Sequence, residues 1–112
     1  MPEGSGDVEW MLWIDAWGEA LRNPLMKTIS QELDERSTAL LERVLRAGVA
    51  SGEFRCSDPA ASAQRLAGLI DGLAVQFAAH TDLLTREQFI DHVRWLAAAE
   101  VGASIEEFDA AR

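Results

Sequence analysis

Two dipeptides, Asn23-Pro24 and Asp58-Pro59, do most to restrict how this chain can fold. In each, a short polar side chain able to accept from free amides precedes a proline, and proline suits the first turn of a helix while breaking a helix interior. Each pair therefore starts a helix. The complementary stop is Ser51-Gly52, because glycine readily takes the left-handed conformation that closes a helix. Thr81-Asp82 is a further break, and Thr85-Arg86-Glu87-Gln88 behind it has the form of a capping box. At the front, Gly4-Ser5-Gly6 reads as a flexible lead over residues 1–6, with Asp7 as the first cap. This punctuation predicts an all-α fold with four main helices at about 7–22, 24–51, 59–80 and 86–101. Residues 53–57 form a short connection, and 103–112 an acidic tail that is either a helical turn or disordered. No segment reads as a strand.

At 112 residues and 48% hydrophobic content, the chain has room for one core, in one domain over 7–102. A chain this short buries a modest share of its surface, so pairing with a second copy is an expected source of stability. The formal net charge is −9 and Lys27 is the single lysine, which argues against a phosphate-binding surface. Acidic residues gather at both ends, from Glu3 to Glu19 and from Glu100 to Asp109, as a solvated surface. Cys56 stands alone, which excludes an internal disulfide and a zinc site built from cysteine pairs, and fits a reducing cytoplasm. No leader pattern precedes Trp10, and no apolar run reaches the roughly 18 residues that cross a bilayer. A soluble, cytoplasmic protein without a membrane partner is expected.

Catalysis requires a nucleophile or acid–base group held by an orienting partner, and no such set occurs at a motif spacing. His80 and His92 fall on different helices; with Asp82 and Asp91 nearby they read more simply as surface or interface residues than as metal ligands. Glycines occur at turns and helix contacts, never as a phosphate-cradling loop. Neither an enzyme, nor a metal site, nor a cofactor is expected.

Periodicity assigns the helix faces. In the second helix Met26, Ile29, Leu33, Leu40, Val44 and Ala47 recur along one apolar stripe, which predicts its buried side. The third helix has two stripes: Ala63, Leu66, Ile70, Leu73 and Phe77 on one side, and the smaller Ala61, Gly68, Gly72, Val75 and Ala79 opposite. Gly68 and Gly72 each sacrifice about 1 kcal/mol of helix propensity, and close approach of another helix would offset that. The small stripe is therefore assigned to a second protomer, the alternative being other helices of the same chain. The fourth helix repeats the pattern, with Phe89, Ile90, Val93, Leu96 and Ala97 on one side and Trp95, Ala98 and Ala99 on the other. The expected interface thus comprises Ala61, Arg65, Gly68, Asp71, Gly72, Val75, Ala79, His92, Trp95, Ala98 and Ala99, with Trp95 as anchor. Asp71 would pair with Arg65 or Arg94, or sit at the wet edge of its helix. In the first helix Trp10, Trp13 and Trp17 project from one face as an aromatic wall, core or pocket.

Trp13, Trp17, Ala20-Leu21-Arg22-Asn23-Pro24, Ser51-Gly52-Glu53-Phe54-Arg55, Asp58-Pro59 and Ile70-Asp71-Gly72-Leu73 occur in an order that resembles the C-terminal regulatory half of TetR-family transcriptional repressors. The resemblance implies a homodimer formed by the last two helices of each chain as a four-helix bundle. It also implies an effector pocket among the first three helices, together with two more that would precede Met1. Trp10, Trp13, Trp17, Met26, Ile29, Ser30, Leu33, Ser37, Phe77 and His80 are the positions expected around it, for a small apolar ligand. DNA would be contacted only through a helix-turn-helix head ahead of Met1, absent from this chain. An alternative reading is a complete, small all-α dimerisation module that pairs with itself or with full-length relatives. The two differ in one respect: a regulatory half leaves apolar surface partly exposed on the first and second helices, whereas a self-sufficient module covers it.

Overall fold

The computed structural model describes residues 3–80, 82–104 and 106, with side chains from Val8 onward. Four helices follow one another: α1 Glu3–Ala20, α2 Pro24–Ser51, α3 Pro59–Ala79 and α4 Arg86–Glu100. The caps are those that the dipeptides announce. The Asn23 carboxamide oxygen accepts from the amides of Leu25 and Met26 at 3.0 and 3.2 Å, and Asp58 accepts from Ala61 at 3.2 Å. Thr85 and Gln88 close the box reciprocally, at 3.1 and 2.9 Å. Gly52 ends α2 at φ 83°.

One start differs. α1 begins at Glu3, so Gly4-Ser5-Gly6 is helical and Asp7 lies inside the helix rather than capping it. No proline interrupts the ladder between Glu3 and Ala20, and two glycines weaken a helix without stopping it. Met1, Pro2, the Asp7 side chain, Thr81 of the expected break, and the acidic tail at Ile105 and from Glu107 onward lie outside the described residues.

α3 is the central helix and packs on α1, α2 and α4, while α1 also packs on α2. One core cluster joins Leu45 of α2, Ala63 and Leu66 of α3 and Val101 just past α4, with Leu41, Phe54, Leu96 and Ala97 against it. The 53–57 connection is tied to both sides: the Phe54 amide donates to Gly48 O at 3.0 Å, and the Arg55 amide to Val101 O at 2.7 Å. At the other end of α3, Phe77 is buried and stacks on Phe89 at 5.4 Å, with the Arg86 guanidinium 5.3 Å from the Phe77 ring centre.

The face that α2 buries is not its apolar stripe. Ile29, Leu33, Leu40, Val44 and Ala47 are exposed. The line turned inward is Ser30, Asp34, Thr38, Leu41, Leu45 and Gly48, spaced by three and four and polar in its first half. The reason is tertiary. α1 and α3 both approach α2 from that side, so position among neighbours overrides the larger apolar content of the outer stripe.

Candidate ligand-binding site

Three helices border an open cavity of about 410 Å³, a size common for small-molecule sites. α1 contributes Glu9, Trp10 and Trp13; α2 contributes Asp34, Ser37, Thr38 and Leu41; α3 contributes Ala67, Ile70 and Asp71. Each set follows from helical spacing: positions 34, 38 and 41 stack on one face of α2, and 67, 70 and 71 on one face of α3. A second groove of about 400 Å³ runs between α1 and α2, lined by Leu12, Trp13, Ala16, Met26, Ile29, Ser30 and Leu33 among others. Glu9 and Trp13 border both.

The indoles hold one another and the cavity wall. Trp13 and Trp17 meet edge to face at 6.4 Å, and Trp10 meets Phe89 of α4 in the same manner at 6.4 Å. Trp17 Nε1 donates to Asp34 Oδ2 at 3.1 Å, which ties α1 to α2 and orients that carboxylate. Trp13 Nε1 is buried and, among the described residues, has no acceptor. Asp71 is half-buried, and its carboxyl is pushed above the ordinary aspartate range, first by burial and then by the negative charge of Asp34.

The expected pocket is thus divided. Trp10, Trp13 and Ser37 line the three-helix cavity, and Trp13, Met26, Ile29, Ser30 and Leu33 line the α1–α2 groove. Trp17 supports the wall through Asp34. Phe77 and His80 belong to neither: Phe77 is core, stacked on Phe89, and His80 is an exposed residue that ends α3, its amide donating to Gln76 O. Glu9, Asp34, Thr38, Leu41, Ala67, Ile70 and Asp71 are the lining residues that the periodicity argument passed over. The signal was there in Asp34 and Thr38, polar neighbours of the expected Ser37 on α2, which an apolar-stripe search discards.

The surface assigned to a second protomer is largely open. Gly68, Gly72 and Ala79 are exposed, and a Cβ added at Gly68 or Gly72 would meet nothing within 4 Å. Gly68, Gly72 and Ala79 therefore do not pack on helices of their own chain, whereas Ala61 and Val75 are half-buried within it. On α4, His92 and Ala99 are exposed and Trp95 is 66% exposed. Two members are corrected. Ala98 is buried, because α4 turns it inward ahead of Val101, while Ile90 of the supposed inner side is exposed. Asp71 lines the cavity, four residues on from Ala67, and does not join the glycine face.

Nor, among the described residues, does Asp71 pair with an arginine. Arg65 is exposed on α3 and clamps Glu100 at the end of α4, Nη2 to Oε2 at 2.7 Å and Nε to Oε1 at 3.1 Å, and Arg94 Nη1 reaches Asp91 at 3.1 Å. Ser62 Oγ also donates to Glu100 Oε2, at 2.7 Å. The bonds from Arg65 and then Ser62 hold the Glu100 carboxyl below its ordinary range. A carboxylate with a depressed folded pKa adds stability that is present above its unfolded pKa and lost as pH falls through the folded one. Glu100→Gln should therefore lower the urea midpoint at neutral pH and leave it nearly unchanged at strongly acidic pH. An equal loss at both would show that the contact acts by packing rather than by charge.

Among the described residues no three His, Cys, Asp or Glu side chains are grouped to hold a metal, and no helix is long and apolar enough to cross a membrane. A family model described as "BetI-type transcriptional repressor, C-terminal" matches residues 1–102. No curated protein and no solved structure matches the chain. With a match over nearly its whole length and four helices built around α3, the chain belongs to the family of C-terminal regulatory domains of TetR-type transcriptional repressors, in its BetI-type branch, and its role lies in transcription regulation.

Proposed function

We propose that this chain is the ligand-sensing and homodimerising part of a TetR-like repressor. The observation that carries this reading is the division of α3: Ala67, Ile70 and Asp71 line the cavity, while Gly68 and Gly72, one step further round the helix, face open space. A ligand that draws the cavity wall inward would displace the same helix that presents the pairing surface. That is the coupling a regulator requires, since an effector shifts a conformational equilibrium only by binding one arrangement better than the other. DNA contact is assigned to a separate head domain, in keeping with the charge of −9 and the single lysine of this domain.

The exposed apolar row on the first two helices favours this reading over a self-sufficient module. Leu12, Leu25, Ile29, Leu33, Leu40 and Val44 are all exposed, a continuous surface of the kind that marks contact with further polypeptide. Light scattering on the purified chain at micromolar concentration should return twice the mass of a single chain. The mass of one chain at every concentration would remove the dimer from the proposal.

A further inference from the structure

Trp10 belongs to two places at once. Its indole lines the three-helix cavity, and it also meets the ring of Phe89 on α4 edge to face, with centroids 6.4 Å apart and planes at 84°. Among the described residues the backbones of α1 and α4 do not approach each other, for no Cα of one helix lies within 8 Å of a Cα of the other. The aromatic pair spans that gap. From Phe89 the line of rings continues into the core: Phe89 lies nearly parallel to Phe77 of α3, at 5.4 Å and 8°, and the Arg86 guanidinium stands 5.3 Å from the Phe77 ring centre. Phe77 is 5% exposed, so close packing fixes its ring. Arg86 and Phe89 both belong to the first turn of α4, and the exposed Trp95 lies further along the same helix, on the face assigned above to a second protomer.

A cavity wall that touches an element outside the cavity can report what the cavity holds. An edge-to-face pair has a preferred geometry, so an indole pushed outward either carries the partner ring with it or loses the contact. Both events change what holds the first turn of α4, and because packed helices shift as units, a displacement at Phe89 reaches Trp95. Resting on the sensing and pairing reading above, we infer that the Trp10–Phe89 contact couples the α1 wall of the cavity directly to α4, in addition to the path through α3. Trp10 and Phe89 are positioning residues in this coupling: Trp10 takes up the displacement at the cavity, and Phe89 passes it to α4.

The test fills the cavity from the chain itself and so requires no ligand. Thr38→Phe adds a ring on the α2 side of the cavity. Ser37→Leu, at the adjoining lining position, is the second filler and replaces the first if circular dichroism shows that the larger residue costs helicity. The full chain is labelled with fluorotryptophan at Trp10, Trp13, Trp17 and Trp95, and fluorine NMR at one protein concentration follows the Trp95 resonance, assigned through Trp95→Phe. The filler should move that resonance, and on a Phe89→Leu background it should move it less than half as far. Phe89 lines neither the cavity nor the α1–α2 groove, so its replacement leaves the filler's surroundings as they were. A packing role for Phe89 alone would shift the starting position of the resonance but not the response to the filler. An equal response with and without Phe89 would overturn the inference and leave the sensing reading intact, the signal then running through α3. No movement of Trp95 with either filler would overturn it by showing that α4 does not feel the cavity. The pairing reading is judged separately, by the mass measurement given above.

Discussion

Gly48→Ala is expected to destabilise the chain by about 2 kcal/mol, although alanine is the better helix former by about 1 kcal/mol in a helix interior. A Cβ placed on Gly48 would lie 1.9 Å from Phe54 Cδ2 and 2.5 Å from Cε2 and Cγ. These are atoms of a rigid ring, not the end of a flexible side chain. Phe54 is held in place by the hydrogen bond that its backbone N–H donates to Gly48 O at 3.0 Å, and its side chain by packing on the Leu45, Ala63, Leu66, Val101 cluster. Admitting a methyl group therefore means displacing Phe54 from the core, and with it the strap that carries Arg55 to Val101. Urea midpoints with unchanged slope would measure the loss. Combining Gly48→Ala with Phe54→Ala gives a sharper reading: once the ring is gone the alanine has nothing to strike, so the double variant should be no less stable than Phe54→Ala alone. A Gly48→Ala protein as stable as its parent would mean that the ring has another place to go.

Gly72→Leu should act in the opposite sense on the fold and more drastically on assembly. Gly72 is exposed in the middle of α3, and a Cβ there meets nothing within 4 Å, so the single chain should gain about 1 kcal/mol from the better helix former. If Gly68 and Gly72 mark the closest approach of two α3 helices, the leucine forces them apart and the mass in light scattering falls by half, to that of one chain. The combination is diagnostic, because a variant that merely misfolded would lose helicity along with mass. Retention of the dimer by Gly72→Leu would move the pairing surface elsewhere, with exposed Trp95 the next position to substitute.

The helix ends were legible because capping is a local affair. The Asn23, Asp58 and Thr85 caps act on amides two or three residues away, and Gly52 acts on its own backbone, so a window of four residues contains the whole interaction. The four-helix, all-α outline follows from those ends. The small stripe of α3 was legible for a related reason: glycine inside a helix is unfavourable wherever the helix packs, so Gly68 and Gly72 call for an explanation before any neighbour is known.

Faces were another matter. On α2 Ile29, Leu33, Leu40 and Val44 lie outward and the polar line Ser30, Asp34, Thr38 lies inward, because α1 and α3 approach from that side. Asp71 shares the cavity with Trp10 and Asp34 only after three helices meet, and until then it is one more polar residue beside a glycine. Phe77 resembled a pocket residue until Phe89, twelve positions on, came to stack on it at 5.4 Å. A helix carries its caps and its periodicity within itself, and these depend on residues a few positions apart. Which of its stripes is buried, and which carboxylates stand together, depends on contacts between residues tens of positions apart, so those features arise only when α1, α2 and α4 have packed around α3.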